Sequence, residues 1–187
     1  MRLFFAIELP AEVRAALARV RETLALDPRT FRAAGEDTLH LTVRFVGEVD
    51  DARVPLLVTA GERAAAGVPP VPCEVAGLGS FPHGSRARVV WAGIADRSEA
   101  HELERLARRL EDEIRGAGFP AEERPFAPHV TLARARERRS GGLRLPAPSG
   151  PIASFAAREL TLFRSRLGAG GARHDALATF PFLAVPR

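Results

Sequence analysis

Two four-residue segments share one pattern of residue types: His40-Leu41-Thr42-Val43 and His129-Val130-Thr131-Leu132. Each alternates polar and apolar positions, as a half-buried strand does. Successive side chains of a strand point to opposite faces, so His40 shares a face with Thr42, and His129 with Thr131. A packed core accounts for Leu41, Val43, Phe45, Val130 and Leu132. It does not call for an imidazole and a hydroxyl in the same two slots. Two such pairs turned toward each other present two imidazoles and two hydroxyls to one substrate. An imidazole with a pKa of about 6.5 can give or take a proton near neutrality. The pattern therefore suits metal-free acid–base chemistry on a phosphate.

One His-x-Thr triplet is a weak signal, but the surroundings of the two repeat as well. An apolar run, Leu3 to Leu9, precedes a helical pattern at Val13, Leu17, Val20 and Leu24, then a loop, then His40. Val89 to Ile94 precedes a helical pattern at Leu103, Leu106, Leu110 and Ile114, then a loop, then His129. A further strand-like segment follows each motif, at Cys73–Leu78 and at Glu159–Phe163. The chain reads as two copies of a strand–helix–strand–strand unit, each supplying one motif to a shared site. Pro10 suits the first turn of the first helix. Asp50 or Asp51 can cap a second helix ending at Gly67, and Ser98 a third ending near Gly116 to Gly118. The first motif strand is expected to end at Gly47 and the last strand to span about 176–183. Strands with one polar face and interspersed helices predict an α+β fold with antiparallel sheets.

The 187 residues suit one compact domain spanning 1–187, or two small lobes sharing a core. No apolar stretch approaches the roughly 20 residues that span a bilayer, and Glu8 interrupts the opening apolar run. A lone cysteine, Cys73, fits a reducing cytoplasm and is read as a packed strand residue. All 27 basic residues are arginines, and there is no tyrosine. Guanidinium groups stay charged and fork onto phosphate oxygens. The net charge of +4 is modest, but the run from Arg134 to Arg139 is dense and favours an anionic partner. Arg44 shares the His40 face by strict alternation, making it a phosphate-contact candidate. His83 and His101 are read as solvent-facing, and His174 as part of the flexible segment after Gly168–Gly171. No His/Cys spacing typical of a metal site occurs, and neither metal nor cofactor is expected.

The segments His40–Gly47 and Pro128–Arg134 resemble the paired signature of the two-histidine phosphoesterases. The similarity is greatest to the RNA 2′,3′-cyclic phosphodiesterases, also called 2′-5′ RNA ligases. It extends to Phe4-Phe5-Ala6-Ile7, Trp91-Ala92-Gly93, Arg124-Pro125-Phe126 and Leu162-Phe163-Arg164-Ser165, in order along nearly the whole chain. The resemblance implies two pseudo-symmetric lobes, each an antiparallel sheet flanked by helices, with the histidines facing across a central cleft. It implies His40 as proton donor to a departing 3′ oxygen and His129 as the base that activates water. Thr42 and Thr131 would hold the phosphate oxygens, and Phe45 and Arg134, five residues after each histidine, would frame the terminal nucleotide. Strict alternation puts both of these on the wrong face, so a bulge or the strand end would have to turn them inward. Where relatives often carry a tyrosine after the Gly-rich loop, this chain has Arg173-His174. The implied substrate is RNA with a 2′,3′-cyclic phosphate end, handled by a cytoplasmic monomer. Reversible 2′-5′ ligation, another phosphodiester substrate and a non-catalytic RNA-binding module are the alternatives.

Overall fold

The computed structural model describes all residues except 84–85, 137–144, 147–149, 169–170 and 184–187. The arginine-dense run beyond Arg136, with Arg144, falls among the undescribed residues, as does most of the expected Ser140–Gly150 loop. The elements in order are β1 (Arg2–Glu8), α1 (Ala11–Thr23), β2 (Phe31–Ala33), β3 (His40–Glu48), α2 (Val54–Ala65) and β4 (Val71–Phe81). There follow β5 (Val89–Asp96), α3 (Glu102–Gly116), β6 (His129–Ala135), β7 (Ala153–Ala157), β8 (Glu159–Gly168) and β9 (Gly171–Pro181).

Local chemistry accounts for the element ends. The Pro10 carbonyl accepts the first α1 bonds, from Val13 and Arg14, and the helix buries Val13 and Leu17. The start of α3 is held by two side chains. Ser98 Oγ accepts the Glu102 N–H at 3.0 Å, and Asp96 Oδ2 accepts that of Leu103 at 2.8 Å. These satisfy donors that have no partner inside the helix. Leu103, Leu106, Leu110 and Ile114 then form one fully buried stripe.

The strands form one antiparallel sheet in the order β7-β4-β5-β6-β3-β1-β8-β9, with β2 added on β6. That order is symmetric about the β6/β3 junction. Going outward, β5 matches β1, β4 matches β8, and β7 matches β9. The halves join where Leu41 of β3 pairs with Val130 of β6, both fully buried. Helix α1 packs against β6 and β7, whereas α3 packs against β3, so each crossover helix supports the opposite motif strand.

The α+β class and the two related halves match the sequence reading, with one rearrangement. The strand after each motif leaves its own unit: β4 pairs with β5, and β8 pairs with β1. The expected two sheets are thus one continuous sheet. Strands β2 and β7 were not anticipated, and Gly47, with φ 93°, lies inside β3 rather than ending it. Cys73 is buried in β4, and burial pushes its thiol up to about 12, which leaves it inert as a nucleophile.

Candidate active site

The antiparallel register at Leu41–Val130 sets the site. With these two residues turned into the core, their neighbours on either side face the other way. His40 is thereby placed toward Thr131, and Thr42 toward His129. Both histidines begin their strands and are half-buried. Each also makes the same backbone bond: His40 Nδ1 lies 2.7 Å from the Thr38 carbonyl, and His129 Nδ1 lies 2.7 Å from that of Ala127. A carbonyl can only accept, so Nδ1 carries the proton in both rings. Nε2 is left as the working nitrogen, a base when bare and an acid when protonated. Thr42 Oγ1 stands 3.0 Å from His40 Nε2 and donates to it.

Of the two devices that could turn Phe45 and Arg134 inward, a bulge and the strand end, both motif strands use a bulge. Ala6 pairs with Thr42 and Phe5 with Arg44, so Val43 is an extra residue. Trp91 pairs with Thr131 and Val90 with Ala133, so Leu132 is extra. Val43 and Arg44 are both buried, as are Leu132 and Ala133. The following residue in each strand returns to the histidine face. Phe45 pairs with Phe4, whose ring lies 5.0 Å from His40, and Phe45 is 38% exposed. Arg134 folds back until its Nη2 is 3.5 Å from Thr131 Oγ1.

The same bulge removes Arg44 from the site, a correction to the sequence reading. Its side chain turns to the helix face, only 7% exposed, and Nε donates to Glu111 of α3 at 2.5 Å. It also donates to the Pro120 carbonyl at 2.6 Å and to that of Phe45. Arg44 fastens α3 to the motif strand and has no free donor aimed at the cleft.

His174 is a second correction. It lies within β9, paired with Ser165, rather than in a flexible loop. Its ring stands edge-on to His40 at 5.1 Å and to Phe4 at 5.0 Å. Phe163 stacks on Phe4 at 5.4 Å behind them. Burial pushes the His40 pKa down to about 4, with the charges of His174, Arg134 and His129 adding to the effect. Burial, and then Arg134, also lowers that of His129. Arg2 was not anticipated either: its guanidinium lies over the Phe45 ring at 4.9 Å. Alternation along β1 places Arg2 and Phe4 on one face, a signal that could have found both. Among the described residues, no three His, Cys, Asp or Glu side chains stand together as metal ligands would.

Two imidazoles with the same fixed tautomer and two hydroxyls, facing across the centre of a curled antiparallel sheet, define a two-histidine phosphoesterase. The family model for LigT like Phosphoesterase matches residues 7–91 and 94–174, each segment carrying one motif. The chain belongs to that family. A protein of Escherichia coli (strain K12) named RNA 2′,3′-cyclic phosphodiesterase is 35% identical over 176 residues, 94% of this chain and 93% of its own. One of the same name from Aeropyrum pernix is 37% identical over 125 residues, 66% of this chain and 68% of its own. The crystal structure of E. coli LigT complexed with 3′-AMP superposes with a TM-score of 0.81 at 32% identity, over 97% of each chain.

Proposed function

We propose that this protein hydrolyses the 2′,3′-cyclic phosphodiester at the 3′ end of RNA to a 2′-phosphomonoester, by proton transfer between two histidines. The observation that carries the reading is the matched anchoring of His40 and His129, each with Nδ1 held by a backbone carbonyl and Nε2 turned away from the backbone, where in His40 it meets only the Thr42 hydroxyl. The names of the similar proteins support the same substrate class.

In this reading His129 Nε2 takes a proton from water as the oxygen attacks phosphorus. His40 delivers a proton to the 3′ oxygen as the P–O3′ bond breaks. A ring with its pKa near 4 is neutral in the free protein at pH 7. The anionic phosphate supplies the missing countercharge, so His40 gains its proton as substrate binds. Each positioned transfer contributes roughly 10²–10⁴-fold. Thr42 and Thr131 donate to the non-bridging oxygens, whose charge grows in the transition state. Phe45 and Arg134 hold the terminal nucleotide by stacking and charge. No step needs a metal or cofactor, and one chain supplies every group.

The test is a short RNA ending in a 2′,3′-cyclic phosphate, incubated with the protein in EDTA and followed by phosphorus NMR. The expected product is the 2′-phosphomonoester, lost in both His40→Ala and His129→Ala. A 3′-phosphomonoester, or turnover that survives both substitutions, would overturn the reading.

A further inference from the structure

The outer flanks of the two histidines differ. On the His40 side, β9 runs beside β8, and its His174 fills the space next to Phe4 and Phe163. On the His129 side, Phe81 takes the register place of Phe163, and Trp91 that of Ala6. The Phe81 and Trp91 rings lie 5.1 Å apart, and Phe81 meets His129 edge-on at 5.1 Å. The matching outer strand, β7, pairs only with Val71–Val75 of β4 and stops short of Phe81. No counterpart of His174 is present among the described residues. An open concavity of ≈ 450 Å³ lies there instead, lined by Phe81, His83, Trp91, Ala95, Pro128 and His129.

The walls of this concavity combine the aromatic rings of Phe81 and Trp91 with small and aliphatic residues, Ala76, Gly93, Ile94 and Ala95 among them. Trp91 lies against Gly79, where a Cβ would stand only 2.2 Å from the indole, so the ring depends on the missing side chain for its position. Among the described residues, no carboxylate or arginine lines the pocket. An uncharged planar group suits such a surface, and a phosphate does not. Base–aromatic stacking is tolerant of sequence and is worth about 1–3 kcal/mol per base.

We propose that this concavity seats a second nucleobase, that of the nucleoside whose 5′ oxygen is joined to the phosphorus or released from it. The proposal rests on the reading of His129 as the base that faces the nucleophile. With a 5′-hydroxyl in place of water, its oxygen bonds to phosphorus and its proton passes to His129. The P–O3′ bond breaks, and the 3′ oxygen takes the proton of His40. Atoms and charge balance, and the reverse path cleaves a 2′-5′ linkage. A nucleoside delivering its 5′ oxygen beside His129 has its base on the side away from His40. That is where the concavity lies.

The chain holds one tryptophan and no tyrosine, so the ultraviolet emission of Trp91 reports on this pocket. Adenosine is expected to quench that emission saturably, whereas ribose, which has no base, leaves it unchanged. Ala95→Phe, on the pocket face of β5, fills the space without removing a wall and should weaken the quench about tenfold. With cytidine 2′,3′-cyclic phosphate as donor, transfer to the 5′-hydroxyl of adenosine should fall about tenfold relative to hydrolysis in Ala95→Phe. Unchanged emission with adenosine, or an equal quench in Ala95→Phe, overturns the proposal. Loss of cyclic phosphate hydrolysis by the natural protein instead removes the catalytic reading, while the emission experiment still decides the pocket.

Discussion

His40 and His129 open equivalent strands, bond to equivalent carbonyls and precede equivalent bulges, but their rings rest in different surroundings. His40 is enclosed by Phe4, by Phe163 behind it and by a third imidazole, His174. His129 has Phe81 and Trp91 on its outer side, with open space beyond them. The backbone solution is duplicated because two strands paired about a two-fold can present two histidines in only a few ways. The flanks are free to diverge, since a different strand end, β9 or β7, reaches each one. Chemistry that needs two similar groups in unequal roles can draw on that inequality. One imidazole is hemmed in by aromatic rings, and the other adjoins space through which a nucleophile can approach.

The largest effect should come from the groups the two halves share. Replacing either histidine with alanine is expected to lower kcat on a cyclic phosphate end by roughly 10²–10⁴-fold, with the double variant little worse than the single ones. Near-additive losses would mean that the two rings act in separate steps. The position four residues after each histidine separates the halves sharply. It holds Arg44 in one and Ala133 in the other, both buried. Arg44→Met strands Glu111 and breaks a buried pair, a change that costs about 3–5 kcal/mol of stability. Urea unfolding should show that loss, with turnover per folded molecule nearly unchanged. Arg134→Ala is expected to do the reverse. Stability should hold while KM rises about tenfold, from a lost substrate contact of about 1–3 kcal/mol. A large rise in KM for folded Arg44→Met would return that residue to the substrate side.

How far the sequence could be read follows from the same comparison. The motif strands and the faces of His40, Thr42, His129 and Thr131 were legible because strand alternation has a strict period of two. Alternation fails at a bulge, which leaves no mark of its own in the residue types. The burial of Val43-Arg44 and Leu132-Ala133 in succession becomes visible only once β1 and β5 are aligned beside them. Arg44 was therefore misplaced by period counting, while Phe45 and Arg134 needed the family resemblance to be nominated at all. The exchange of β4 and β8 between the halves is likewise a matter of long-range pairing. His174 was hidden for a different reason. Glycines around 168–171 signal a turn, and the hairpin they begin carries pairing out to Gly168 and Gly171 themselves.

Enclosure of His40 has a consequence for stability. Its folded pKa, near 4, lies below the ordinary value of about 6.5, so the unfolded chain binds the proton more readily. The stabilisation is fully present above pH 6.5. It is lost as pH falls toward 4, and below that the loss is complete. The window is worth up to about 3 kcal/mol. Urea midpoints measured between pH 7 and pH 4 should fall along this course, and less steeply in His40→Gln. An equal slope in the variant would place the acid sensitivity elsewhere.

The finest distinction between the halves is the third imidazole, and His174→Phe tests it alone. A phenyl ring keeps the edge-on packing on His40 and Phe4 and removes only the titrating nitrogens. The charge that acts on His174 is that of Asp175, which is paired with Arg164 and Arg166. Burial lowers the pKa of His174 as well, so the ring is mostly neutral at pH 7 and its charge matters only in acid. Near neutrality His174→Phe should turn over within a few-fold of the natural protein. Below pH 6 the repulsion that protonated His174 exerts on His40 disappears, and the acid limb of kcat/KM should move to slightly higher pH. His174→Ala differs because it also opens the flank to water. It should raise the His40 pKa further and lower kcat, by releasing a ring that the aromatic cluster holds in place. Identical pH profiles in the natural protein and both variants would reduce His174 to a spectator and leave burial by Phe4 and Phe163 as the whole difference between the two histidines.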